Sequence, residues 1–466
     1  VKHPPRFCGG QDERRPVCGK GPAMLEQAKN ELLTRVGPGT PMGDLMRRYW
    51  MPIAGETELA ANPVKAVRLM GEDLVLYRDL AGTYGLVARN CPHRRADMSY
   101  GFVEQCGLRC NYHGWSFDET GACVEQPFED VANPQARFRD KVRITAYPVE
   151  AKAGLLWAYL GPQPAPLVPN YEPFLWKNGF KQIVISEVPC NWLQGQENSI
   201  DPVHFEWMHR NWSVRLRGQT GPYAPRHQKL AFDEFDHGFT YRRITEDTDE
   251  NDLLWTIGRT CLWPNALYTG DHFEWRVPID DGNMLSVTWH FSRVPHEQEP
   301  YEQTTIPTWH GPIKDELTGK WITTHVMNQD FVAWLGQGTV SDRWNEHLGS
   351  SDRGVIMIRK RFLEDLERIE RGEDPKAIVR DPEANECIPL PVANRRSLVE
   401  GMSRAEMDAH PFAGPRLYPF QAGQPDEVRH AYEAAMGFDS PPPPMETVLA
   451  KLASSAATVE RSAAKV

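Results

Sequence analysis

The chain has 466 residues, 40% of them hydrophobic and 25% charged, with a formal net charge of −11. That length suffices for two or three domains with full cores, and the acidic balance disfavours nucleic acid and anionic membranes as partners. No run approaches the roughly 20 apolar residues of a membrane span: residues 153–160 come nearest and are short, and the first residues lack the continuous apolar stretch of a signal peptide.

Taken in chain order, residues 1–23 are rich in Pro, Gly and charge and lack periodicity, so they are read as a dispensable extension, with Met24 a plausible alternative start. Residues 24–51 form an N-terminal segment that opens on a helix-like pattern over 25–33. The stretch Gly37-Pro38-Gly39-Thr40-Pro41-Met42-Gly43 superficially resembles a dinucleotide loop. It lacks the G-x-G-x-x-G spacing and a preceding strand, and its prolines are read as unsuited to a helix N-terminus, so a turn is expected. Residues 52–162 read as short strands broken by turns, for example 67–70 and 74–77, with Gly101, Gly107 and Gly121 marking further turns.

Within that region stand Cys91-Pro92-His93 and Cys110-Asn111-Tyr112-His113, with sixteen residues between His93 and Cys110. Two Cys and two His in the order C-x-H … C-x-x-H suit a Rieske [2Fe–2S] cluster, in which one iron takes two thiolates and the other two imidazoles. A zinc site also uses two Cys and two His, but zinc knuckles usually place like ligands in each half, whereas each half here mixes one Cys with one His. Single-electron chemistry is therefore expected. The nine cysteines are scattered and do not form a disulfide framework, and two are needed as thiolates, so a reducing cytoplasm is expected.

A proline-rich connector at 162–173 marks the expected boundary with a second domain, 163–440. There, 182–188 reads as a strand leading to a helix near Asn191; 230–295 returns to strands, among them 232–241 and 285–291; and helix resumes from Asn328. Val355, Ile358, Phe362, Leu366 and Ile369 repeat at intervals of three and four, and Gly372 is the expected stop. Pro441–Pro444 break the chain before a peripheral tail, 441–466. The notable motif is Asp201-Pro202-Val203-His204-Phe205-Glu206-Trp207-Met208-His209. Two imidazoles and a carboxylate on one face leave open positions on Fe(II) for dioxygen. Taken alone, two histidines near an aspartate are more often structural.

Together these motifs carry a resemblance. Tyr112, Gly114 and Trp115 resemble the Rieske loop around the second histidine, and the whole block is similar to the Rieske domains of bacterial ring-hydroxylating oxygenases. Respiratory Rieske proteins carry an extra cysteine in each loop, joined as a disulfide; Ala96 and Tyr112 stand there instead, which argues for the oxygenase class. The resemblance covers roughly 24–375 and points to the phthalate dioxygenase-like branch. It implies an α+β chain, with an all-β Rieske domain followed by a helix-grip-like catalytic domain of antiparallel sheet and helices. It makes Cys91, His93, Cys110 and His113 the cluster ligands and His204 and His209 ligands of a mononuclear iron. Asp201 becomes a carboxylate bridging an iron-ligand histidine to the Rieske His113 of a neighbouring subunit. Asp330, in Asn328-Gln329-Asp330, matches the third iron ligand; Asp342 and Asp352 compete, and Asp352 reads better as an N-terminal helix acid.

With no dinucleotide loop and no C-x4-C-x2-C ferredoxin spacing, the chain depends on NAD(P)H only indirectly. The resemblance implies a terminal oxygenase fed by a separate reductase, with or without a ferredoxin, using O2, and built as a homotrimer or as stacked trimers. Stretches at 35–43, 159–166 and 189–194 resemble enzymes that remove a methyl group from a lignin-derived biaryl acid. Oxidative O-demethylation of a methoxylated aromatic acid is thus the leading expectation. Hydroxylation or cis-dihydroxylation of a phthalate-like aromatic is second, and a non-catalytic electron carrier third. Between Arg210 and Lys229 the basic residues include Arg215, Arg217 and Arg226, with no acid among them. Arg217 and Arg226 are candidates to pair with a substrate carboxylate, weighed equally against a solvated loop.

Overall fold

The computed structural model describes residues 25–393, 399–409 and 423–438; the expected extension 1–23 and tail 441–466 lie outside the described residues. The chain enters through α1 (Gln27–Thr34), which buries Leu33, and a turn with Gly39 at φ +76°. The next helix, α2 (Pro41–Met46), corrects the reading of that segment: Thr40 Oγ1 accepts from the Gly43 N–H at 3.1 Å, and Pro41 takes the first helical position. Proline there loses no hydrogen bond, and its fixed φ already suits a helix, so Pro41 favours the N-terminus.

Three small antiparallel sheets follow. Their elements are β1 (Met51–Gly55), α3 (Glu56–Ala61), β2 (Val64–Leu69), β3 (Glu72–Arg78), β4 (Tyr84–Ala88), β5 (Phe102–Val103), β6 (Leu108–Arg109), β7 (Ser116–Phe117), β8 (Cys123–Glu125), α4 (Pro127–Ala132), β9 (Ala146–Tyr147), β10 (Val149–Lys152) and β11 (Leu155–Ala158). The sheets are ordered β2-β3-β4-β9, β5-β6-β7-β8 and β1-β11-β10. A cluster of Val75, Val87, Met98, Leu108, Trp115 and Phe117 fills the space between the first two sheets, and Cys91 and Cys110 belong to it.

The second half is built on β12 (Gly179–Val188), α5 (Trp192–Ile200), α6 (Trp212–Leu216), β13 (His227–Phe235), β14 (Gly238–Thr245), α7 (Leu253–Thr256), β15 (Arg259–Leu262), β16 (Ala266–Tyr268), β17 (His272–Asp280), β18 (Asn283–Arg293), β19 (Thr308–His310), α8 (Val326–Gly336) and α9 (Arg353–Glu370). The eight strands lie in the order β13-β14-β15-β16-β17-β18-β12-β19, antiparallel except where β19 joins β12. This is the α+β arrangement of an all-β domain followed by an antiparallel sheet with helices.

The pleat of β17 explains how the sheet serves both sides. Phe273, Trp275 and Val277 enter the aromatic core, where Trp157 of β11 meets Trp275 edge-on at 5.3 Å between ring centres; burying a ring of that size contributes about 3 kcal/mol. The alternate residues His272, Glu274 and Arg276 face the helices, because successive side chains point to opposite faces. There α5 runs so close that a Cβ on Gly195 would stand 2.6 Å from Arg276 Cγ. From the other side, the Arg276 guanidinium lies 5.2 Å from the Trp334 ring of α8. Helices α5 and α8 are thereby pinned side by side over one sheet face.

Candidate iron sites

The first site is made by two loops, one after β4 and one between β6 and β7. They close in the same way. Cys91 N–H donates to Ala96 O at 2.8 Å and accepts back at its carbonyl from Arg95 N–H at 2.9 Å; Cys110 N–H donates to Trp115 O at 2.8 Å and accepts from Gly114 N–H at 3.1 Å. The equivalent residues Arg95 and Gly114 both sit at positive φ, +61° and +75°. Each loop therefore tucks its cysteine inward and turns its histidine outward. Cys91 and Cys110 are 1% and 2% exposed, while His93 and His113 are exposed, their ring centres 4.5 Å apart. Trp115 stacks on His93 at 4.4 Å and 5°. Arg109 holds the second loop, donating to Gly114 O at 2.7 Å and to Glu104 and Glu125 at 2.6 and 2.5 Å.

The donor set fits the cluster. Burial, then the neighbouring Cys110, pushes the Cys91 thiol up to about 11, so a bound cation must draw off its proton. Burial first and His113 second hold the His93 imidazole below its ordinary value, in the neutral ligating form.

The second site is assembled from α5, the turn after it, and α8. At about 3.6 residues per turn, five residues would leave His204 and His209 roughly 140° apart on an α-helix. The chain instead winds as a π-helix over Phe205–Asn211, whose wider turn brings them to one face. His204 Nε2 and His209 Nε2 lie 3.7 and 3.4 Å from Asp330 Oδ1, with all three side chains at most 11% exposed. Among the described residues, His204, His209 and Asp330 form the trio whose ligand atoms all lie within 4.8 Å of one another. His209 Nε2 is buried with no hydrogen-bond partner, which suits a metal, since buried polar atoms are otherwise satisfied. The competing acids are engaged elsewhere: Asp342 accepts from Asn345 at 2.6 Å, and Asp352, just ahead of α9, accepts from Gly349 N–H at 2.5 Å.

Asp201 lies where α5 ends, its Oδ1 accepting from Val203 N–H at 2.8 Å and its Oδ2 3.6 Å from His204 Nδ1, just beyond hydrogen-bond length. Burial raises its pKa, but His204 and the backbone N–H donors outweigh that and keep it below the ordinary carboxylate range. Its side chain remains 30% exposed.

Comparison with known proteins follows the same lines. The Rieske [2Fe-2S] domain family matches residues 49–144. The chain is 64% identical, over 89% of its own length and 97% of the relative's, to the 5,5'-dehydrodivanillate O-demethylase oxygenase subunit of Sphingobium sp. (strain NBRC 103272 / SYK-6). It is 31% identical to the phenoxybenzoate dioxygenase subunit alpha of Ectopseudomonas oleovorans, over 74% of this chain and 87% of that one. It is also 31% identical to the phthalate 4,5-dioxygenase oxygenase subunit of Pseudomonas putida, over 75% and 88%. The chain belongs to the Rieske non-haem iron oxygenases.

As such an oxygenase it is a terminal component that works with a Rieske cluster, a mononuclear iron and O2, and takes its electrons from a separate donor. No helix among the described residues is long and apolar enough to cross a membrane.

Several features of the oxygenase escaped the sequence reading. Arg226 has a counter-charge that the sequence reading did not see: its side chain, 77% exposed, forks onto Glu246 at 2.9 and 2.7 Å. The acid that neutralises it lies twenty residues downstream, across the β13–β14 pair, beyond the window in which the loop looked wholly basic. Arg217 sits at the exposed C-terminal cap of α6. The sequence reading also passed over Asn198, which donates to Asp330 Oδ1 at 3.2 Å, and Gln329, whose Oε1 lies 3.0 Å from His209 Nδ1. Asn198 had one available signal: it stands three residues before Asp201 on the last turn of α5. Beneath the trio, His272 bridges Asp271 at 2.9 Å and Glu274 at 3.1 Å, and Glu274 pairs with Arg276 at 2.6 Å. Burial lowers the His272 pKa, but these acids outweigh it and hold the imidazole up to about 9. This row balances its own charge.

Proposed function

We propose that this oxygenase performs oxidative O-demethylation of a methoxylated, lignin-derived aromatic acid. The observation that carries the reading is 64% identity spanning 97% of a relative named as an O-demethylase oxygenase subunit. In balance, R–OCH3, O2, two electrons and two protons give R–OH, formaldehyde and water. When bound, the iron would activate O2 to hydroxylate the methoxy carbon, and the resulting hemiacetal collapses to phenol and formaldehyde.

The chain's own groups have distinct tasks in this reading. Cys91, Cys110, His93 and His113 would hold the cluster; His204, His209 and Asp330 would hold the iron. Asn198 orients the Asp330 carboxylate by donating to Oδ1. Asp201, ionised and partly open to the surface, would accept a hydrogen bond from the outward-facing His113 of a second copy in a homotrimer, fixing both imidazoles. A reductase, with or without a ferredoxin, would supply the electrons, and a cytoplasmic location accords with seven free cysteines among the described residues.

Hydroxylation or cis-dihydroxylation of a phthalate-like aromatic is the second reading, favoured by the 31% identity to a phthalate dioxygenase subunit. The two part at the product. A panel of aromatic acids turned over with a generic reductase should release one formaldehyde per O2 consumed for at least one methoxylated acid. Oxygen uptake with no formaldehyde from any of them rejects demethylation.

A further inference from the structure

Different groups stand behind the two imidazoles of the trio. His204 turns Nδ1 toward the Asp201 carboxylate, whereas His209 turns Nδ1 to the Gln329 amide at 3.0 Å. The two ends of an amide have the same shape, so its orientation must be read from its partners. The far end of the Gln329 amide lies 3.1 Å from the Thr323 carbonyl oxygen and 3.1 Å from Ser213 Oγ. A carbonyl can only accept, so that end is the NH2 and the end facing His209 is the oxygen. The amide oxygen also only accepts, so His209 Nδ1 carries the hydrogen and donates it. The ring's lone pair is then on Nε2, the buried atom without a hydrogen-bond partner, 3.4 Å from Asp330 Oδ1.

We propose that Gln329 is a positioning residue that locks His209 in its Nδ1–H tautomer and so presents Nε2 to the mononuclear iron. The inference rests on the reading of His204, His209 and Asp330 as the ligands. Gln329 is 5% exposed, so water does not compete for its bonds. Its partners come from three places: the π-helical turn, α6, and the segment leading into α8. It is also the residue before Asp330, so a single turn of α8 supplies one ligand and orients another. Any shift of α8 moves both together. The choice of a neutral amide matters too. Asp201 already adds a negative charge behind His204; Gln329 fixes the second ring without adding another.

The test uses the full chain with its Rieske cluster intact and the mononuclear iron removed by chelation. Fe(II) is titrated back anaerobically, and the paramagnetic resonance spectrum of the ferrous nitric oxide adduct is recorded. Gln329→Met keeps the volume but removes the acceptor, and should weaken Fe(II) binding about 10- to 100-fold and change the adduct's rhombicity. Gln329→Glu restores the acceptor for Nδ1 but sets an oxygen against the Thr323 carbonyl, so it should recover part of the affinity lost in Gln329→Met and return the adduct's spectrum toward the parent's, a partial rescue that a purely structural role would not give. Parent-like binding and spectrum in Gln329→Met overturn the proposal. His209→Ala is the reference: if it too binds Fe(II) like the parent, the ligand reading itself has failed. Visible circular dichroism of the cluster reports folding. Should Gln329→Met not fold, Ser213→Ala frees the amide on one side and should give a smaller loss with the same spectral change, and no change in either overturns the proposal.

Discussion

The two iron sites use opposite constructions. The cluster loops lie within 23 residues of sequence and are shaped by their own backbone: paired hydrogen bonds across each Cys and a positive φ at Arg95 and Gly114. The mononuclear trio gathers residues more than 120 positions apart and is shaped by side chains on helices: Asn198, Gln329 and Asp201 behind the candidate ligands. One site stands at the surface with its imidazoles exposed; the other is buried. Backbone-built loops can present a group to an incoming partner, whereas a side-chain network on packed helices suits a centre that must be shielded and held still.

If the constructions are independent, they can be broken one at a time. The largest effect is expected from His204→Ala/His209→Ala, which should abolish turnover and remove one of three irons per subunit while leaving the visible cluster spectrum unchanged. Cys110→Ser should do the reverse. Metal analysis of both proteins checks this, and loss of both centres in either would show that the two regions fold as one unit around their metals. Next comes Asp201→Asn, which keeps both metals but should slow single-turnover electron transfer roughly 10- to 100-fold by removing the anionic acceptor beside His204. Undiminished coupled turnover would contradict a bridging role.

The smallest effect concerns the seam between the regions. Glu58 of α3 accepts from His310 Nε2 of β19 at 2.8 Å and from Gly55 N–H at 2.8 Å, and also pairs with Lys65. Burial raises its pKa, but His310 and Lys65 outweigh it and hold the carboxyl at about 2. A depressed carboxylate stabilises the fold above its unfolded value near 4.5, and that contribution is lost as the pH falls through about 2. Glu58→Gln should therefore cost about 1–2 kcal/mol at pH 7, read from denaturant midpoints, with the gap to the parent closing below pH 4.5. A constant gap across that range would exclude the charge as its source.

The contrast also explains what was legible. The cluster loops could be read directly, because Cys91 through His113 are local and the turn glycines mark the loops that carry them. The strands 182–188 and 285–291 and the α9 stripe from Val355 to Ile369 showed their periods for the same reason, and appear within β12, β18 and α9. The trio was harder. A spacing of five is wrong for one face of an α-helix, and nothing local announces a π-helix. Asp330 was reached by resemblance, since its proximity to His204 depends on how α8 crosses α5. The pairing of Arg226 was hidden because its counter-charge, Glu246, lies in the turn just after β14, and Pro41 misled because the first turn of a helix tolerates what its interior forbids.

The π-helical turn carries one more implication. With one residue fewer between His204 and His209, the segment would run as ordinary α-helix, and the two imidazoles would still share a face. The later ring would then be displaced by a residue relative to Gln329 on α8, and Asp201 and Gln329 would no longer be matched to the same pair. The surplus residue thus acts as a spacer of register between two helices, and the length of the segment 204–209 is as much a part of the site's chemistry as its histidines.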